Sequence, residues 1–104
     1  MLVQLLYFPG CPHVEIARKR LEQALGGLED GPAISDVDVT DARTPTRLRS
    51  WGSPTILIDG ADVAGGNPSG PSCRIYPDSD HPRSPSLFLI EAALRRCAGK
   101  GPRR

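Results

Sequence analysis

An α/β fold in the order β-α-β-α-β-β-α is what this sequence predicts, and three observations predict it. Residues 2–8 are almost continuously apolar, the pattern of a central strand covered on both faces. Apolar residues then recur at helical spacing from Val14 to Leu28. Farther on, Thr55–Ile58 is a β-branched run that ends on Asp59-Gly60, a tight-turn signal. The 104 residues suffice for one domain with one modest core, and a net charge of +1 gives no drive toward nucleic acid or an anionic membrane.

The elements follow in order. Leu2–Phe8 is the first strand. Val14, Ala17, Leu21, Ala24, Leu25 and Leu28 form one helical face, opposite Glu15, Arg18, Lys19 and Glu22, and Gly26-Gly27 ends the helix. Ala33–Val39 alternates Ile34, Val37 and Val39 with Asp36 and Asp38, a second strand. Two strands joined by a helix make a right-handed crossover, so these two are expected to be parallel. Thr44 and Pro45 read as the cap and first residue of a short helix through Leu48 and Trp51, stopped at Gly52. After the Thr55–Ile58 strand and the Asp59-Gly60 turn, Ala61–Ala64 is a short strand. Ser84-Pro85-Ser86 opens a last helix with Leu87, Ile90, Ala93, Leu94 and Cys97 on one face. The domain is expected over residues 1–98, with 65–83 as an inserted loop rich in Gly, Pro, Ser and Asp, and 99–104 as a flexible basic tail.

One stretch carries chemistry. In Phe8-Pro9-Gly10-Cys11-Pro12-His13-Val14, a cysteine falls where strand becomes helix, with Cys11 at the expected N-cap and Pro12 at the first helical position. Unpaired N–H groups and the positive end of the helix dipole favour a thiolate there and raise its reactivity. Three cysteines cannot all pair internally, and their wide spacing is unlike a zinc knuckle. A strand beginning almost at Met1 leaves no secretory leader, and no apolar run reaches the ~20 residues of a membrane span, so a cytoplasmic protein with reduced thiols is expected.

Cys11-Pro12-His13-Val14 resembles the active-site motif of the thioredoxin-like family, with Val14 in place of the second cysteine. Trp51-Gly52-Ser53-Pro54-Thr55 is similar to the family's Gly-x-Pro-Thr segment, whose proline follows a cis peptide bond and lies against the reactive cysteine. Ile56-Leu57-Ile58-Asp59-Gly60 looks like the strand and hairpin turn that come next. The resemblance covers residues 1–64 and 84–98. It implies the thioredoxin fold, a four-stranded mixed sheet flanked by helices, with Ser53–Pro54 cis. Ala64-Gly65-Gly66 resembles the Gly-Gly of glutaredoxins, but Phe8 stands where those proteins carry Lys, which leaves glutathione use open. The Gly-Ser-Pro-Thr segment with the later Ser72-Cys73-Arg74-Ile75-Tyr76 is also similar to small thioredoxin-like proteins linked to organomercurial (alkylmercury) lyases.

By that resemblance the chain reads as a thiol-disulfide oxidoreductase acting on a protein or small-molecule thiol, without a cofactor and as a monomer or weak dimer. Cys11 is the nucleophile, His13 its electrostatic support, and Pro12, Ser53, Pro54 and Trp51 the substrate groove. Val14 cannot resolve a mixed disulfide, so Cys73 from the inserted loop is the candidate resolving thiol. Two alternatives stay open. Cys11 and Cys73 together suit a soft metal such as mercury, which prefers thiolates; or the domain is a non-enzymatic binding module whose thiol is dispensable. The bland readings are a capping role for Cys11, loop packing for Cys73 and a buried inert thiol for Cys97. They continue with a solvated turn for His81, core packing for Trp51, and solvated faces for Arg18-Lys19-Arg20 and for Arg43, Arg47 and Arg49.

Overall fold

The computed structural model describes residues 2–26, 33–66, 74–76, 79–80 and 82–99, the last three as backbone only. It is an α/β protein with a four-stranded mixed sheet and three helices: β1 (Val3–Tyr7), α1 (Val14–Leu25), β2 (Ile34–Asp38), α2 (Thr46–Arg49), β3 (Thr55–Ile58), β4 (Ala61–Asp62) and α3 (Leu87–Gly99). All seven expected elements are present in the expected order. No helix of the described residues is long and apolar enough to cross a membrane.

The sheet order is β2-β1-β3-β4. β1 pairs parallel with β2, from Val3 opposite Ile34 to Tyr7 opposite Asp38, as a right-handed crossover requires. β1 also pairs antiparallel with β3, from Val3 opposite Ile58 to Leu6 opposite Thr55. Successive side chains of a strand point to opposite faces, so these two central strands divide their apolar residues between two cores. Val3, Leu5, Ile56 and Ile58 meet the apolar faces of α1 and α3 on one side. Leu6 and Leu57 meet Val39, Leu48 and Trp51 on the other. Helical periodicity read the first core correctly: Val14, Ala17, Leu21, Ala24 and Leu25 are buried from α1, and Ile90, Ala93 and Leu94 from α3. Trp51 packs α2 onto the sheet, as expected of it. Leu28 and the side chain of Cys97 lie outside the described residues.

The β3–β4 connection is a two-residue loop in which Asp59 and Gly60 both take positive φ, 52° and 87°, the mark of a type I′ hairpin turn. Asp59 also receives the Leu2 backbone N–H on Oδ1 at 2.7 Å and returns its own N–H to the Leu2 carbonyl at 2.8 Å. Ser86 caps α3: its Oγ accepts the Leu89 N–H at 3.1 Å, and its carbonyl accepts that of Ile90 at 3.2 Å.

Three expectations are corrected. β4 ends at Asp62 rather than Ala64, because the chain turns there with the Gly65 N–H on the Asp62 carbonyl at 2.9 Å. α2 starts at Thr46, one residue past the expected Pro45, and Thr44 does not cap it. The Thr44 hydroxyl instead donates to the Asp38 carbonyl at 2.7 Å, which ties the loop to the end of β2. The Arg18-Lys19-Arg20 run is not simply a solvated face either. Arg18 pairs with Asp36 of β2 at 2.8 Å. Arg20 reaches Asp80 at 3.0 Å, the Pro85 carbonyl at 2.9 Å and Ser79 at 3.2 Å, holding the segment before α3 against α1.

Candidate functional site

Four residues form the corner that carries Cys11. Pro9 and Gly10 are the middle of a β-turn closed by the Cys11 N–H on the Phe8 carbonyl at 3.2 Å, and Gly10 has φ 87°. Proline at the second and glycine at the third position of a turn, the latter with positive φ, is the type II signature. The turn ends β1 and directs Cys11 back over the first core, where its side chain is half-buried against the apolar cluster of α1, α3 and β1.

This turn also corrects the expected cap. Cys11 is not the N-cap of α1, and Pro12 is not its first residue. The Cys11 N–H is spent inside the turn, so two more residues pass before the helix begins, and His13 takes the N-cap position. The Ala17 N–H reaches the His13 carbonyl at 3.4 Å as the first helical bond. Cys11 therefore stands two residues ahead of the cap, at the helix mouth. His13 is half-buried and Pro12 exposed. A Cβ at Gly10 would meet no atom within 4 Å. Gly10→Ala therefore costs only what the left-handed backbone imposes, about 1–2 kcal/mol, which a matching fall in the urea unfolding midpoint will show.

The second part of the site precedes β3. Ser53–Pro54 is cis, as the resemblance implied. Since Leu6 pairs with Thr55, the antiparallel register puts the end of β1 and the start of β3 at the same end of the sheet. Cys11 and Ser53–Pro54 therefore belong to one end of the fold. Two expected groove residues, Ser53 and Pro54, are fully buried rather than open, and Trp51 is 7% exposed.

What covers them was not expected from the sequence. The Arg74 N–H donates to the Ser53 carbonyl at 3.0 Å, and the Tyr76 hydroxyl donates to the Pro54 carbonyl. The Arg74 guanidinium reaches back to Asp62 Oδ2 at 2.9 Å and to Thr55 Oγ1 at 3.1 Å. Thr55 in turn donates that hydroxyl to the Gly52 carbonyl at 2.6 Å. The guanidinium also lies 4.6 Å from the centre of the Tyr76 ring and 5.7 Å from that of Trp51, within cation–π range. Asp62 has no exposed side-chain surface; its Oδ2 takes Arg74 and the Gly66 N–H, and its Oδ1 has no partner among the described residues. Burial pushes the Tyr76 phenol well above its ordinary range, against the partial opposition of the Arg74 charge. The sequence holds one signal of this network, the Arg74-Ile75-Tyr76 that follows Cys73.

The remaining candidates divide plainly. Cys73 and His81 lie outside the described residues, so the Cys11–Cys73 pairing is not described. Among the described residues no group of three or more His, Cys, Asp or Glu converges as a metal site. Near the end of β2, Arg43 hydrogen-bonds Asp41 at 2.9 Å and holds its carboxyl at about 2, on a loop where Arg43 is exposed and Asp41 half-buried. An open depression of about 610 Å³ runs along that edge from Tyr7 to Leu48, and another of about 540 Å³ lies beside Leu2, Trp51 and Gly60. Cys11 lines neither. No protein-family model, curated protein or solved structure matches the chain at a significant level.

Proposed function

We propose that this chain is a thioredoxin-like protein and that its chemistry is thiol–disulfide exchange at Cys11. The observation that carries this reading is the half-buried Cys11 thiol at the end of the central strand, at the same end as a cis proline that opens the adjoining antiparallel strand. The sheet order β2-β1-β3-β4, with its first pair parallel and the rest antiparallel, supports it. Cys11 is the nucleophile. The first turn of α1, begun by His13 and carrying the acidic Glu15, leaves its unpaired N–H groups as the support for a thiolate at the helix mouth. Val14 is buried in the core and supplies no second thiol, so a mixed disulfide formed on Cys11 is released by a thiol from elsewhere, with Cys73 as the candidate within the chain.

Alkylation of each cysteine across pH, read by mass spectrometry, tests the reading. Cys11 is expected to alkylate at pH 7 at least about tenfold faster than free cysteine, which is only a few per cent thiolate there. Cys11→Ser is expected to abolish exchange with a small disulfide, whereas Cys73→Ser leaves the first step intact and, with no small thiol added, lets the mixed disulfide accumulate. A Cys11 that alkylates no faster than free cysteine overturns the proposal.

A further inference from the structure

We propose that the substrate of Cys11 is a low-molecular-weight thiol or disulfide and not an extended polypeptide; this rests on the thiol chemistry proposed above. A polypeptide presented to a reactive group in extended form is commonly held by main-chain bonds to a free strand edge, with side chains supplying selectivity. Among the described residues, the backbone groups nearest Cys11 in the chain and at the adjoining strand ends are already engaged. The Tyr7 carbonyl takes the Val39 N–H at 2.8 Å, and that of Phe8 takes Cys11 itself. The Asp38 carbonyl takes the Asp41 N–H and the Thr44 hydroxyl. The Gly52 carbonyl takes the Thr55 hydroxyl. Pro9, Pro12 and Pro54 have no N–H to give.

The decisive contact is at Ser53. Its carbonyl faces the Arg74 N–H as it would face an adjoining strand, and the segment continues to the Tyr76 hydroxyl on the Pro54 carbonyl. The place an added strand would take on the Ser53 carbonyl, at the end of the sheet that carries Cys11, is thus filled by this chain. That segment is fastened by the buried Arg74–Asp62 pair, the Thr55 hydroxyl and two aromatic faces, so it is not a loosely held occupant. A small disulfide needs none of these backbone groups. It needs only a path to Sγ, and Cys11 is half-exposed between the exposed Gly10 and Pro12.

The reaction balances without a further cofactor. The Cys11 thiol loses its proton to solvent, and its sulfur attacks one sulfur of R–S–S–R. A Cys11–S–S–R bond forms while the second R–S leaves with the electron pair of the broken S–S bond and takes up a proton. A second small thiol then attacks the R sulfur, restores the Cys11 thiol and leaves as the new disulfide, so the first disulfide is reduced and the second thiol oxidised.

The test uses the full chain with two probes that share a leaving group. One is hydroxyethyl disulfide; the other is an unstructured peptide long enough to form a strand, with its cysteine joined to the same hydroxyethylthio group. Second-order rates of mixed-disulfide formation on Cys11 are read by mass spectrometry. The wild-type chain is expected to react with the peptide no faster than with the small disulfide. In a variant carrying Arg74→Ala with Asp62→Asn, which releases the segment without leaving a buried unpaired charge, the peptide rate is expected to rise several-fold relative to the small one. A peptide rate an order of magnitude above the small-disulfide rate in the wild-type chain overturns this inference and leaves the thiol chemistry standing, as does a variant ratio that stays unchanged. Rates for both probes no higher than those of free cysteine overturn the thiol chemistry itself, and the inference with it.

Discussion

Arg74→Ala is expected to lower the unfolding free energy by about 3–5 kcal/mol, the range for breaking a buried ion pair from one side. Asp62 presents no side-chain surface to solvent, so without Arg74 its charge keeps, among the described residues, the Gly66 N–H on Oδ2 and nothing on Oδ1. Water cannot replace the lost partner unless the site opens. The same substitution removes the donor to Thr55 and the cation between Trp51 and Tyr76. A domain of this size loses roughly 4–8 °C of Tm per kcal/mol, so the fall is roughly 12 °C or more and is read directly from thermal unfolding. The cost is expected to come from the stranded carboxylate more than from the lost attraction. Asp62→Asn in the same chain should therefore recover most of it, and Arg74→Met with Asp62→Leu should lie near the wild type. A loss under ~1 kcal/mol for Arg74→Ala alone would put the pair with ordinary surface salt bridges and end the claim that it fastens the segment.

How much of this was readable in the sequence depends on which residues signal locally. The strands and helices were readable because each repeats its own signal. Val3, Leu5 and Leu6 in one run, and Val14, Ala17 and Leu21 at helical spacing, specify the faces they bury. The Asp59-Gly60 hairpin was readable because its chemistry is confined to two residues. The Cys11 signal marks the right corner, where strand gives way to helix, but the wrong cap, which falls at His13. Pro12 suggested a helix start, whereas Pro9-Gly10, three residues earlier in effect, closes a turn that consumes the Cys11 N–H first. Asp62 and Arg74 were not readable as a pair. A strand of two residues is too short to show a face, and Arg74 sits in a Gly, Pro and Ser-rich stretch with no period at all. Their meeting depends on β4 turning back toward the start of β3, a long-range fact that no spacing in the chain encodes.

Alkaline pH is expected to destabilise the protein through Tyr76, and Tyr76→Phe is expected to remove that loss. The phenol is 3% exposed, and burial raises its pKa in the folded chain above the ordinary value near 10. The folded state therefore favours the neutral phenol, and the stability this contributes is fully present below pH ~10. Above that point the unfolded chain ionises Tyr76 first, so each further pH unit costs up to about 1.4 kcal/mol until the folded phenol titrates as well. Tyr76→Phe has an opposite cost at neutral pH. It strands the Pro54 carbonyl, which has the Tyr76 hydroxyl as its donor, at about 1–3 kcal/mol. The two stability curves, measured by urea unfolding from pH 7 to 12, should thus start with the wild type higher and cross roughly one to two pH units above 10. Curves that stay parallel over that range would mean that the phenol reaches solvent as easily folded as unfolded, and that the cover over Ser53 and Pro54 is looser than its bonds imply.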